Sequence, residues 1–177
     1  LPKGRRQKAT ALYDRLTKKG AVWAQDFGLE SAMWFANSPE NAYEDPTFHR
    51  SRAHKYVERE VKTVRDNVGG IEIANYAKHE FKGPGACDFL DYILAGRIPN
   101  PGRINLSPML TSKGKLYGDL TVACIKDEYF ILFGSGLMQE AHRRWFENKL
   151  PEKGVTYLNR SDDYHGVAIS GPKSREL

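Results

Sequence analysis

Three consecutive apolar segments between residues 103 and 135 constrain the fold more than any other part of the chain. They are RINLSPML, KLYGDLTVACI and EYFILFGS, and strand-forming residues dominate each of them. The links between them, Thr111-Ser112-Lys113-Gly114 and Lys126-Asp127-Glu128, are short enough for hairpins. Because hairpins join antiparallel neighbours, the sequence predicts an antiparallel sheet in this region.

Periodicity predicts helices and further strands around these hairpins. Helices are predicted over residues 6–19, 52–66, 86–95 and 137–149, and strands for IEIAN, YAKHEFKG, VTYLN and GVAIS. The side chains expected to face inward are Tyr56, Val57, Val61 and Val64 in the second helix, Phe89, Leu90, Ile93 and Leu94 in the third, and Leu137, Ala141 and Trp145 in the fourth. This order of elements predicts the α+β class, an antiparallel sheet with packed helices.

Size and composition exclude several classes of protein. A chain of 177 residues is long enough for one domain with a buried core, and 28% charged residues are typical of globular proteins. No segment approaches the ~18–20 apolar residues that cross a bilayer, and no signal-peptide pattern occurs. Cys87 and Cys124 have no metal or disulfide spacing. They indicate reduced core residues of a cytoplasmic or mitochondrial-matrix protein.

The net charge of +5 is modest, and basic residues cluster near the start and around residues 50–55. No basic strand interleaved with aromatic residues accompanies them, as a nucleic-acid surface would favour. Solvated faces and termini explain the clusters better, although a small anionic ligand would also gain from such a field. We therefore expect neither nucleic acid nor a membrane as a partner.

One acid interrupts the second predicted strand, LYGDLTVACI. Alternation places Leu116, Gly118, Leu120, Val122 and Cys124 on a core face, and Tyr117, Asp119, Thr121 and Ala123 on the opposite face. Aspartate is depleted in strands, and burying it without partners is costly. Asp119 therefore lies at an edge or in solvent, bonds a backbone N–H, or contacts a ligand. Glycine at 118 favours the ligand, because glycine in a strand often marks a bulge or a close approach.

Other catalytic patterns are weak. Ser135 lies between two glycines at a strand–turn–helix, but a nucleophile elbow requires Gly-x-Ser-x-Gly, so a cap or turn is the better interpretation. His49 and His54 are five residues apart and do not share a helical face, and we expect no metal site. No G-x-G-x-x-G occurs, so we expect no flavin on this chain.

Several motifs together resemble a known family. GRINLSPMLTSKGKLYGDLTVACIKDEYFILFGSG, HRRWFENKLP and GVAISGPKSREL, with AKHEFKGPGA upstream, resemble the aminomethyltransferase (glycine-cleavage T-protein) family. The likeness is closest to the version fused behind a flavin domain in dimethylglycine and sarcosine dehydrogenases. LYDRLTKKGAVWAQDFGLESAMWFA and FHRSRAHKYVEREVKTVRDNVG resemble the segment that connects those two domains. The resemblance covers nearly the whole chain.

The resemblance implies a division of the chain and a fragmentary state. Residues 1–66 would be the linker segment and helix that follow a flavin domain, and residues 67–177 the N-terminal part of a T-protein-like folate-binding domain. The residues GPKSREL look like the start of a further helix, so we expect an excised piece of a larger protein. FAD would belong only to the upstream domain, and a second folate subdomain would complete the site. Alone, the fragment should bind folate poorly and catalyse nothing.

The resemblance also implies a reaction. Such domains bind tetrahydrofolate and accept a one-carbon unit from an oxidised N-methyl amine, forming 5,10-methylenetetrahydrofolate. Asp119 matches the family's acid beside the reactive folate nitrogens, where a carboxylate stabilises a cationic iminium and moves the N–H proton. Residues expected to line the folate are Tyr117, Thr121, Met109, Leu106 and Ser135. Two alternatives stay open: a non-catalytic folate-binding module of the same fold, and a stand-alone glycine-cleavage aminomethyltransferase.

Overall fold

The computed structural model describes residues 4–177 of the chain, and these residues divide into two units. One unit comprises residues 4–75 with His165–Leu177, and the other comprises Tyr76–Tyr164. Helices accompany antiparallel sheets in the described residues, which confirms the predicted α+β class. Residues 1–3, at the start of the segment predicted as a linker, lie outside the described residues, and the predicted division at residues 66 and 67 stays a prediction.

In the first unit, the first helix is shorter than predicted, and a β-hairpin follows it. The strands β1 (Ala21–Asp26) and β2 (Leu29–Phe35) pair through a two-residue turn in which both residues have positive φ. The predicted helix over residues 6–19 is wrong before Tyr13, where α1 (Tyr13–Lys18) begins. Lys8 instead lies alongside β2, because its N–H donates to the Gly28 carbonyl and its carbonyl accepts from the Glu30 N–H.

The second helix, α2 (His54–Asp66), occupies the predicted position, but its buried face is narrower than predicted. Tyr56 is buried and stacks on Trp34 at a centroid distance of 4.9 Å. Val57 and Val61, which were expected to face inward, are exposed. The next inward position after Tyr56 is Glu60, whose carboxylate accepts the Phe35 N–H at 3.0 Å. A hydrogen bond to the hairpin therefore takes the place of the predicted apolar contact.

Two short strands complete the secondary structure of this unit. The strand β3 (Gly69–Glu72) pairs antiparallel with β9 (Val167–Ser170). β9 lies within the predicted strand GVAIS, whereas β3 overlaps only the first two residues of the predicted strand IEIAN. The last residues form turns rather than the helix expected from GPKSREL, and the Ser174 N–H donates to the Gly171 carbonyl. No helix within residues 4–177 is long and apolar enough to cross a membrane.

A five-stranded antiparallel sheet forms the second unit. Its strands are β4 (Ala77–Lys82), β5 (Ile104–Leu110), β6 (Leu116–Lys126), β7 (Tyr129–Gly134) and β8 (Thr156–Asn159). They lie in the order β5-β6-β7-β4-β8, so β4 pairs with β7 on one side and with the edge strand β8 on the other. The three strands predicted from residues 103–135 are present as β5, β6 and β7 and are joined by the two predicted hairpins.

Two helices cover one face of this sheet and form the core with it. The predicted residues Phe89, Leu90 and Ile93 of α3 (Ala86–Ile93) are buried, and so is Leu94, which directly follows the helix. In α4 (Gln139–Glu147), Ala141 and Trp145 are half-buried, with Trp145 packed against the core, while the most buried side chains are His142 and Phe146. The prediction is wrong for Leu137, which is exposed because it lies in a 3₁₀ turn over Gly136–Met138 before the helix.

A buried carboxylate joins the N-terminal segment to the β1–β2 hairpin. Glu30 is 1% exposed, and both of its oxygens accept hydrogen bonds from the Arg5 guanidinium. The Arg6 N–H donates to the same carboxylate at 2.9 Å. The hydrogen bond from Arg5 is the main reason why the pKa of Glu30 is lowered, and burial opposes it. The charged form of Glu30 therefore stabilises the folded unit.

We expect Arg5→Ala to lower the free energy of unfolding at pH 7 by about 1–2 kcal/mol, because it removes a charged donor from a buried acceptor. Since the pKa of Glu30 is below its ordinary 4.5 when folded, this contribution is present above pH 4.5 and is lost as pH falls through the folded value. Urea unfolding at pH 7 and at pH 3 should show the difference between wild type and variant shrinking in acid. Arg15→Ala, at an exposed arginine of α1, is the control and should change little at either pH.

Candidate functional site

The strand β6 carries Asp119, and its pairing defines which side chains share a face with that acid. Directly opposite residues of antiparallel strands project to the same side of a sheet. Asp119 lies opposite Pro108, and Thr121 lies opposite both Leu106 on β5 and Phe133 on β7. Asp119, Thr121, Leu106 and Phe133 therefore project from one face of the sheet, away from α3 and α4.

This outer face is mostly apolar and is open to solvent around Asp119. We use the name outer face for the side chains of Ile104, Leu106, Asp119, Thr121, Ile131 and Phe133. Ile104 and Leu106 are 64% and 69% exposed, Asp119 is exposed, and the other three are half-buried. A contiguous apolar surface of this kind often marks a binding site. Asp119 is the one charged residue among these six side chains.

The expected site residues do not all reach the outer face. Asp119, Thr121 and Leu106 do, whereas Met109 is fully buried in the core with Leu120. Ser135 is exposed just after β7 and makes no side-chain cap to the helix that follows. The roles proposed for Met109 and Ser135 stay predictions, although the burial of Met109 shows a side chain that packs within the protein.

Tyr117 does not lie beside Asp119, contrary to the alternation predicted for β6. Met109 pairs with Gly118 and Leu110 pairs with Leu116, so Tyr117 is an extra residue in a bulge. Its ring packs against Trp145 of α4 at 4.6 Å, and its O–H donates to the Ala141 carbonyl at 3.4 Å. The bulge turns Tyr117 toward the core side, and the alternating pattern alone could not indicate it.

Gly118 does mark a close approach, but the approaching group belongs to the protein. A Cβ at this position would lie 2.5 Å from His142 Nε2, so only glycine allows the imidazole to lie against β6. Burial lowers the pKa of His142, and the Tyr117 backbone and the Asp119 charge partly oppose this effect. Gly118 is thus explained by helix–sheet packing without a ligand.

Asp119 itself is exposed, and within residues 4–177 its carboxylate accepts no hydrogen bond and forms no ion pair. Its charge acts on the buried His142 at a distance. The side chain is therefore free to contact a molecule that lies on the outer face.

Lys78 of β4 continues the row of the outer face that contains Phe133, and the sequence patterns singled out neither residue. Phe133 lies between Thr121 of β6 and Lys78 of β4 in one row across the sheet. Beside this row, the buried Glu80 accepts from the Tyr129 O–H and from Lys82, both at 3.0 Å. The short β6–β7 link alone could not have placed Phe133 opposite Thr121, because a register shift between Cys124 and Lys126 moves the pairing by one residue.

The remaining chemical groups do not form a second site of the expected kinds. Among residues 4–177, no three histidine, cysteine or acidic side chains lie close enough to share a metal ion. An open groove of about 470 Å³ follows α2, where Lys55, Arg59 and Lys62 alternate with Glu58 and Asp66. Lys62 donates to Glu58 at 2.6 Å, so the charges of this groove partly neutralise each other.

Proteins of related sequence include a dimethylglycine dehydrogenase and an aminomethyltransferase. Human dimethylglycine dehydrogenase, a mitochondrial protein, is 31% identical over 175 residues, which is 97% of this chain and 20% of that protein. An aminomethyltransferase from Chloroherpeton thalassium is 32% identical over 120 residues, covering 67% of this chain and 33% of the relative. The chain thus spans about a fifth to a third of the length of these two relatives.

A solved structure has the same fold. The glycine cleavage system aminomethyltransferase T from Bartonella henselae superimposes with a TM-score of 0.78, at 18% identity, over 96% of this chain and 42% of that one. At this identity the likeness concerns the fold, and it matches the T-protein-like fold expected from the motifs. The family model described as the GCVT N-terminal domain matches residues 12–177. The chain belongs to the GCVT N-terminal domain family.

Proposed function

We propose that this chain is the tetrahydrofolate-binding part of a longer aminomethyltransferase-like enzyme. The carbon would come from an N-methyl amine of the dimethylglycine or sarcosine type, oxidised by a fused flavin domain. The observation that carries the proposal is the unpartnered Asp119 carboxylate on the apolar outer face, in a chain of this family. Dimethylglycine dehydrogenase, of which this chain spans about 20%, supports the longer polypeptide and the class of amine.

The outer face has the dimensions and chemistry for a flat heterocycle. Leu106, Thr121 and Phe133 lie on three adjacent strands, so they span roughly 10 Å at the usual strand spacing. Leu106 and Phe133 offer apolar surface to the faces of a ring system, and the Thr121 hydroxyl offers a donor and an acceptor. The pterin of tetrahydrofolate, a fused bicycle with N–H groups at its edge, suits such a platform.

Asp119 lies two residues from Thr121, about 7 Å along the strand, at the edge of this platform. In the proposed reaction, formaldehyde or its imine equivalent adds across N5 and N10 of the folate. Both nitrogens lose their protons, and water or the free amine leaves. The centre between nitrogen and carbon is transiently positive, and a nearby carboxylate stabilises that charge and accepts an N–H proton. Asp119 is the candidate for both tasks.

The openness of the outer face supports the proposal that more of the protein covers it. An exposed Asp119 would interact weakly with a cation, because water screens the charge. A second subdomain over the outer face would exclude water and strengthen the same interaction. We propose that this subdomain and the flavin domain belong to the same polypeptide, and that the enzyme acts in the cytoplasm or the mitochondrial matrix.

For the catalytic role, we expect Asp119→Asn in the longest polypeptide that contains this chain to lower the rate of 5,10-methylenetetrahydrofolate formation by about 100-fold. Reduction of the flavin by the N-methyl amine should not change, because the substitution lies in the folate-binding part. Stopped-flow absorbance measures flavin reduction, and chromatography measures the folate product. Asp127→Asn, at an exposed acid in the β6–β7 turn, is the matched control and should leave both rates unchanged.

An unchanged yield in Asp119→Asn would show that this carboxylate is not used. Folate binding without one-carbon transfer in the wild type would favour the non-catalytic module. Transfer from a glycine-derived aminomethyl donor, without any amine oxidation, would favour the stand-alone glycine-cleavage enzyme.

For binding, we expect Phe133→Ala to raise the dissociation constant of tetrahydrofolate about tenfold, the loss of one aromatic contact to a ring. Isothermal titration of the same polypeptide measures the constant. Phe48→Ala is the control, since Phe48 is fully exposed in a loop of the other unit. Equal affinities of the Phe133→Ala variant and the wild type would place the pterin away from the outer face.

A further inference from the structure

Two histidines lie fully buried in the core of the five-stranded unit, where the proposed function does not use them. His79 on β4 is 0% exposed, and His142 on α4 is 1% exposed. Both rings pack against Phe146, the His79 ring edge-on at a centroid distance of 5.0 Å. Buried polar groups in proteins are almost always hydrogen-bonded, so two imidazoles in this position need partners.

The protein supplies only part of these partners. His79 Nδ1 and the Tyr157 hydroxyl form a hydrogen bond of 2.9 Å. Within residues 4–177, His79 Nε2 has no hydrogen-bond partner, and the nitrogens of His142 have none beyond a weak interaction with the Tyr117 backbone. Burial lowers the pKa of both histidines, that of His79 to about 3, so both rings are neutral at pH 7. A neutral imidazole has one donor nitrogen and one acceptor nitrogen. Each of these two rings therefore has at least one nitrogen without a hydrogen-bond partner.

The two rings are too far apart to satisfy each other directly. Their centroids are separated by 6.2 Å. A direct bond of about 3 Å between facing ring nitrogens would bring the centroids to about 5.4 Å. The rings are nevertheless near enough for one molecule with two hydrogen bonds of about 2.8 Å to join them.

His142 cannot turn away to find another partner. Glycine at 118 and at 134 lets the ring lie directly against β6 and β7, because a Cβ there would lie 2.5 Å from Nε2 and 3.3 Å from Nδ1. The aromatic rings of Phe146 and Tyr117 lie beside it, and the Tyr117 hydroxyl donates to the Ala141 carbonyl. The polar groups nearest to the ring are thus the backbone of Tyr117 and the other histidine.

We propose that one internal water molecule binds between His79 Nε2 and the His142 ring. Such a water satisfies both imidazoles at once, and buried waters in proteins usually bridge two to four polar groups in this way. It completes a chain of hydrogen bonds from Tyr157 on β8, through His79 on β4, to His142 on α4. The water is thus a structural ligand that connects α4 to two strands of the sheet.

Nuclear magnetic resonance of the whole 177-residue chain, with ¹⁵N-labelled histidine, tests this inference. In the wild type we expect a cross-peak between a long-lived water and the ring protons of both His79 and His142. The nitrogen shifts of both rings should be those of single neutral tautomers at pH 7. His49, which is exposed, is the internal control and should show no long-lived water.

Two variants complete the test. His142→Asn keeps a polar group near the bridge and should retain the water signal at His79, whereas His142→Leu should abolish it. Absence of the cross-peaks in the folded wild type would overturn the inference. A coupling across a direct nitrogen–nitrogen hydrogen bond between the rings would also overturn it, because the rings would then have no place for a bridge.

Discussion

Pairing of β6 with both of its neighbours decides where each candidate site residue lies. The pairing with β5 places Leu106 beside Thr121, and the pairing with β7 adds Phe133 to the same row. A slip by one residue would exchange the two faces and bury Asp119 under α4. Leu120, Val122 and Cys124 prevent this slip, because all three are buried against the helices and would become exposed. Burial of these core side chains therefore keeps Asp119 on the outer face.

Local patterns predicted the elements better than their contacts. The three strands between residues 103 and 135 were predictable because short links and β-branched residues act locally. The helix over residues 6–19 was predicted too long, since the periodicity around Leu12 cannot show that Lys8 bonds to β2. Leu137 was expected to face inward, but it lies in a 3₁₀ turn before α4 and is out of phase with that helix. The error at Lys8 arises from a contact with a distant part of the chain, and the error at Leu137 from a local change of helix type.

The candidate site shows the same division between local and distant causes. Asp119 was conspicuous in the sequence because an acid in an apolar strand is unusual, and its strand neighbour Thr121 followed from alternation. Tyr117 was misplaced because a bulge depends on how β5 pairs, and Phe133 was missed because its importance depends on register across two strands. Polar groups in the core, such as His79 and His142, depend on packing that no periodicity reveals.

Pro108, which lies opposite Asp119 on the edge strand β5, gives the outer face a further property. Its carbonyl accepts from the Ala95 N–H, so its backbone points away from β6, and proline has no N–H to offer there. A strand from another molecule would find no donor at this position and an acceptor already in use. The sheet can therefore leave an apolar surface uncovered beside Asp119 while this edge discourages the growth of intermolecular β-structure.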